Sequence, residues 1–304
     1  MQNNMVQKQV DLFPHNTLRM RAKAESFFIA KSKGDLIDAV KYANEQSIPL
    51  FVIGGGSNIA LTAKEIKGLV IKNLYMKSEV VAETETTVDL KVSSGYPVTK
   101  LINENIEAGY EGLEYHLGLP GTVGGALYMN SKWTHPECYF GDPLISATLL
   151  SPDGVVREVD KAYFDFAYDY STIQKTKEIV LNAVFRLKKE KPSVVKQRAE
   201  ESKEYRFKTQ PHGVASSGCF FQNITKEEMK EINVETQSAG NLIDKSGLKG
   251  YQLGNFTISP EHANFVINQG EGSPDDLAKL IQTMKQKVKE KFGVELKEEV
   301  VVKQ

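Results

Sequence analysis

The stretch Ile53-Gly-Gly-Gly-Ser-Asn-Ile59 limits what this chain can fold into more than any other. Its three glycines follow the apolar run Leu50-Phe51-Val52-Ile53, so a strand runs into a turn where backbone approaches closely or takes positive φ. Consecutive N–H groups in such a turn form a concavity suited to an anion such as a pyrophosphate. Ser57 and Asn58 add polar side chains at its rim. A tight turn between two strands explains the same residues, and both readings stand at this point. Two other phosphate motifs are excluded, because there is neither a GxGxxG opening a helix nor a GK[ST] ending.

The chain has 304 residues, 40% apolar and 25% charged, with net charge −1, enough for two ordinary domains. Near-neutral charge argues against nucleic acid as a partner. No apolar run reaches the roughly 18 residues that span a bilayer. The first ten residues lack an apolar signal segment, so a cytoplasmic protein with two thiols, Cys138 and Cys219, is expected. No HxxxH or CxxC spacing points to a metal. A monomer is expected.

Periodicity gives the elements. Glu25 to Lys31 reads as a strand, 34–45 as a helix with apolar residues at 36, 37, 40 and 43, and Gly68 to Lys72 as another strand. Val80-Val81 and Thr87 to Ser93 read as paired strands, and Pro97 to Gly109 as an amphipathic helix. Strands on either side of Pro152-Asp-Gly154 precede an aromatic helix at Tyr163 to Tyr168 and a strand at Glu178 to Lys188. Lys188 to Arg206, dense in charge, reads as an exposed helix linking two domains. Beyond it, Ala239 to Gly247 is a short helix closed by glycine, and His262 to Asn268 is a strand. Ser273-Pro274 caps a helix with Leu277, Leu280, Ile281, Met284, Val288 and Phe292 on one face. Glu298 to Val302 is the last strand. The fold class is α+β, with domains at 14–188 and 189–304.

A second glycine block, Gly112-Leu-Glu-Tyr-His-Leu-Gly-Leu-Pro-Gly-Thr-Val-Gly-Gly-Ala-Leu-Tyr-Met-Asn130, is apolar rather than linker-like. Backbone packed closely on something buried is implied, either a flat cofactor or another element of the chain.

The motifs taken together resemble the UDP-N-acetylenolpyruvoylglucosamine reductase family, over roughly residues 14 to 302. They are Asn16-Thr17, Gly54 to Asn58, Gly112-Leu-Glu114, Pro120 to Ala126 and Asn130, then Arg206 and Gln210-Pro211, followed by Ser216-Ser-Gly-Cys-Phe-Phe-Gln-Asn223. Leu242-Ile-Asp244, Gly247 to Gly250, His262-Ala-Asn-Phe265 and Glu299-Val300 complete the order. The resemblance implies an FAD-binding domain of the p-cresol-methylhydroxylase type followed by a smaller α+β substrate domain. It implies reduction of UDP-N-acetylglucosamine enolpyruvate to UDP-N-acetylmuramate by NADPH, for peptidoglycan. FAD contacts are then expected at Gly54, Gly55, Gly56, Ser57, Asn58, Pro120, Gly121, Thr122, Gly124, Gly125 and Asn130. Substrate contacts are expected at Arg206, Gln210 and Asn223.

The same resemblance makes Cys219 the proton donor, in place of the family's usual Ser, and gives Glu299 a part in the enolate step. A thiol, with a pKa of about 8.5, is a stronger acid than a hydroxyl. The chain departs from the pattern where the family has Tyr-Arg-x-Ser, which reads Tyr168-Asp169-Tyr170-Ser171 here. An anion thus stands where negative charge should develop. The family's Asn-Ala-Gly-Ala-Tyr-Gly reads Asn130-Ser-Lys-Trp-Thr-His, and its Pro after the Ser-Gly motif is Ile224. Either Lys132 or Arg206 supplies the missing cation, or the protein binds FAD with an altered substrate or without catalysis.

Overall fold

The computed structural model describes residues 6–304. The chain divides into two compact units. The first takes Ser26–Gly55 and Lys67–Lys208 with the described residues up to Lys8, and the second takes Gln9–Glu25, Gly56–Ile66 and Thr209–Gln304. The units differ from a simple cut at 188/189, because the helix Pro192–Thr209 falls with the first as far as Lys208. That helix is also less exposed than its charge suggests. Val195, Ala199 and Ser202 are buried, one turn apart, and the Ser202 hydroxyl donates to the Tyr115 carbonyl at 2.6 Å.

The first unit is built on two sheets. One pairs the strand Leu50–Ile53 in parallel with the strand Glu65–Asn73, whose residues from Lys67 on belong to this unit. The helix Lys33–Glu45 lays Leu36, Ala39, Val40 and Ala43 against Leu69 and Ile71 of that sheet. The other sheet is antiparallel and runs Val156–Asp160, Leu144–Leu150, Ile179–Lys189, Thr87–Ser93, Ser78–Glu83. Its apolar face packs with Leu101 and Ile102 of the helix Val98–Ala108 and with Leu127 of the helix Val123–Met129.

The expected aromatic helix is corrected. Only Lys161–Phe164 is helical, as a 3-10 turn capped by Asp160, and Asp165 at φ +43° ends it. Asp tolerates that left-handed conformation better than most residues.

The second unit holds the three-stranded sheet Gln252–Leu253, Phe256–Ile258, Val266–Asn268. Its long helix, Pro274–Phe292, buries Leu277, Leu280, Ile281, Met284 and Val288 as the pattern predicts, while Phe292, expected on the same face, is only partly buried. The Ser273 side chain accepts from the Asp276 N–H at 3.0 Å. Ser273→Ala is expected to cost about 1 kcal/mol, read as a lower urea midpoint. Two expected strands are shorter. His262 and Ala263 lie in a turn closed by the Phe265 N–H on the His262 carbonyl, so the strand starts only at Val266. Glu298 bridges Phe221, but Val301–Lys303 pairs in parallel with Ile59–Leu61. The chain changes pairing partner at Glu299, so 298–302 is no single strand.

Candidate active site

In the first unit the two glycine blocks meet backbone to backbone. A Cβ on Gly55 would lie 2.6 Å from the Gly121 Cα, and one on Gly54 would lie 2.3 Å from the Thr122 Oγ1. Gly124 is held likewise against Ser94, at 2.8 Å. Packing within the protein therefore accounts for Gly54, Gly55 and Gly124. Gly125 is different: it is exposed, and the nearest atom to its absent Cβ is the Thr122 Oγ1 at 3.8 Å. It leaves bare backbone beside the joined blocks, a surface that fits a flat cofactor such as FAD. Pro120 is exposed at the edge of this block.

The turn continues in the second unit. Gly56, at φ +71°, would set a Cβ 2.2 Å from the His15 carbonyl oxygen, and its own carbonyl accepts from the Thr17 N–H at 3.0 Å. Ser57 is partly buried. The Asn58 side-chain amide donates to the Glu299 carbonyl at 3.2 Å, and its carbonyl accepts from the Val301 N–H at 3.0 Å. Asn58 thus anchors the segment that carries Glu299.

Two other expected ligand contacts hold protein together. Asn130, 3% exposed, ends the helix Val123–Met129 in the left-handed conformation. Its amide donates to the Ala167 carbonyl at 3.0 Å and its Oδ1 accepts from the Gly141 N–H at 3.2 Å. Both polar atoms of its side chain are thus committed to backbone. The Asn223 Oδ1 accepts from the Ala239 N–H at 3.1 Å, at the start of the helix Ala239–Lys245.

Cys219 and Glu299 come together in the second unit through backbone. Gly218, at φ +79°, turns the chain into Cys219, whose residue bridges Phe265. The next residue, fully buried Phe220, donates its N–H to the Asn264 carbonyl at 2.8 Å. The Phe220 carbonyl accepts from the Glu299 N–H at 2.9 Å. The Asn264 side chain closes the frame on Phe221, accepting from its N–H at 3.0 Å and donating to its carbonyl at 2.8 Å. Cys219 is partly exposed. Burial pushes the Cys138 thiol up to about 12. His116, 3.8 Å from the Cys138 sulfur, is kept neutral by burial, with its pKa lowered to about 3. Gln210 is partly buried just past the helix Pro192–Thr209.

The divergent stretch after Asn130 folds as a hairpin, Lys132–Thr134 against Glu137–Tyr139. Lys132 is taken by Glu137, with Nζ 2.7 Å from the carboxylate. The Arg206 guanidinium lies over the Trp133 ring, 4.2 Å from its centroid. The indole is itself tied down, its N–H donating to the His135 carbonyl at 2.7 Å. Of the two cations considered, Lys132 is spent on a neighbour and Arg206 is braced by an aromatic face. Sequence reasoning missed Trp133, which stands in the very stretch that departs from the family pattern.

Asp169 is 6% exposed at φ +51°, and its Oδ2 has no hydrogen-bond partner among the described residues. Burial raises the carboxyl to about 6, against a hydrogen bond from Tyr168 and the charge of Lys132. A raised acid pKa stabilises the fold below the unfolded value of about 4, and that gain is lost as pH rises through about 6. Asp169→Asn is therefore expected to stabilise the protein at about pH 8, on the order of 2 kcal/mol, and to make little difference near pH 4. Urea midpoints at the two pH values check it.

Residues 210–303 match the C-terminal domain of UDP-N-acetylenolpyruvoylglucosamine reductase, and residues 24–160 match an FAD binding domain. The reductase of Bacillus pumilus is 33% identical over 95% of this chain and 90% of its own length, as is that of Bacillus subtilis. The chain belongs to the UDP-N-acetylenolpyruvoylglucosamine reductase family. The crystal structure of the Thermus caldophilus reductase superposes with a TM-score of 0.78 at 28% identity, covering 97% of this chain and 98% of that one. The expected architecture, an FAD-binding domain with the family's C-terminal domain, is thereby shown.

Proposed function

We propose that this protein reduces the enolpyruvyl group of UDP-N-acetylglucosamine enolpyruvate to UDP-N-acetylmuramate with NADPH, for peptidoglycan. The carrying observation is the family match along nearly the whole chain, C-terminal domain included. Among the described residues no helix is long and apolar enough to cross a membrane. FAD, when bound, supplies hydride transfer from NADPH to the substrate carbon. Gly54, Gly55, Gly121, Thr122 and Gly125 would hold it in the first unit.

The remaining work falls to side chains. Cys219 delivers the proton to the substrate α-carbon as general acid. Its position is set by the backbone frame of Phe220, Asn264 and Glu299. Glu299 orients that donor. Arg206, braced on Trp133, provides the positive charge that offsets the developing enolate. Gln210 adds a hydrogen bond to the UDP-sugar. Asp169 stands where the resemblance expects Arg, and its left-handed backbone suits Asp better than a long side chain. A homologue that binds FAD yet reduces something else is not favoured, because the substrate half of the family pattern is retained. Purified protein is expected to oxidise NADPH quickly only when UDP-N-acetylglucosamine enolpyruvate is added. A rate that ignores this compound would contradict the assignment.

A further inference from the structure

We propose that Lys72 is a cofactor-binding cation beneath the glycine turn, supplying the positive charge that offsets the diphosphate of the dinucleotide. The inference rests on the FAD reading above. In the strand Glu65–Asn73, Leu69 and Ile71 face the helix Lys33–Glu45, so Lys72 points to the opposite side of the sheet. Lys72 pairs in register with Ile53, the residue before the glycines. Its ammonium donates to the Gly54 carbonyl at 2.5 Å.

Lys72 is partly buried, and among the described residues no carboxylate pairs with it. Burial alone lowers its pKa, with no nearby acid raising it again. A single backbone carbonyl does not neutralise an ammonium, and a half-buried unpaired charge is unfavourable. Packing on that face would be served as well by Met. The charge gains a purpose if an anion sits on the turn that Gly54 opens, where Gly55 and Gly121 already touch and Gly125 is bare. A diphosphate carries the complementary charge and the acceptor oxygens for the remaining ammonium protons.

The test uses the FAD-loaded protein. Release of FAD on dilution is followed by flavin fluorescence at rising salt, for wild type, Lys72→Met, Lys72→Gln and Lys72→Arg, with urea midpoints as the folding control. Gln keeps a donor for the Gly54 carbonyl and removes the charge. Met and Gln are expected to weaken FAD binding about 10- to 100-fold and to flatten its salt dependence, while Arg stays near wild type. FAD held by the Gln variant as tightly as by wild type would overturn the charge role. So would equal loss in the Arg variant, which would make Lys72 a structural clasp. A wild-type protein that retains no FAD at all would instead overturn the cofactor reading, and this inference with it.

Discussion

Cys219→Ala is expected to leave reduction of the bound flavin by NADPH at its wild-type rate and to cut substrate turnover by about 10²- to 10⁴-fold. The two halves of the reaction need different things from the protein. The first needs only a held flavin and access for NADPH. The second needs a proton at the substrate α-carbon, and Cys219, held by the Phe220 backbone, is the thiol proposed for that task. Cys219→Ser, which restores the family's usual group, should recover part of the turnover. Stopped-flow absorbance of the flavin separates the half-reactions. A Cys219→Ala variant already slow with NADPH would place Cys219 in the structure of the site and not in proton delivery.

Gly55→Ala is expected to yield protein that loses FAD and unfolds at lower urea, by roughly 1–3 kcal/mol. The new Cβ would sit 2.6 Å from the Gly121 Cα, and backbone on both sides has no side chain to swing away. Separating the two glycine blocks breaks the surface proposed to hold the cofactor. Gly125→Ala is the control. Its Cβ meets only the Thr122 Oγ1, at an ordinary 3.8 Å, so the fold should keep its stability apart from an ordinary helix effect. If FAD lies against that bare backbone, Gly125→Ala still weakens it. Urea midpoint and flavin content, measured on both variants, distinguish a broken frame from a blocked surface.

The parts that sequence made legible are those whose causes are local. Ser273, Pro274 and the apolar stripe from Leu277 to Val288 announce a capped amphipathic helix, and it forms as expected. The glycine turn was legible as a turn, but what each glycine faces was not. Gly55 is glycine because of Gly121, a contact distant in sequence that no periodicity encodes. The aromatic helix failed because Asp165 adopts a left-handed conformation after one 3-10 turn. The charged helix Pro192–Thr209 hid a stripe of small residues, Ala199 and Ser202, behind Lys and Glu. The site itself was read from motif order rather than from chemistry. Nothing in the spacing of Cys219 and Glu299 says that the Phe220 carbonyl will bind the Glu299 N–H. Asn130 and Asn223 lie inside those motifs, yet their side chains also anchor backbone, a use that motif order does not announce.

The most direct test of the central claim is anaerobic. The FAD-loaded protein is bleached with one equivalent of NADPH and then mixed with UDP-N-acetylglucosamine enolpyruvate. The assignment predicts rapid return of the yellow oxidised flavin, with one equivalent of UDP-N-acetylmuramate formed. A flavin that stays bleached in the presence of this substrate, yet reoxidises on exposure to air, would contradict it.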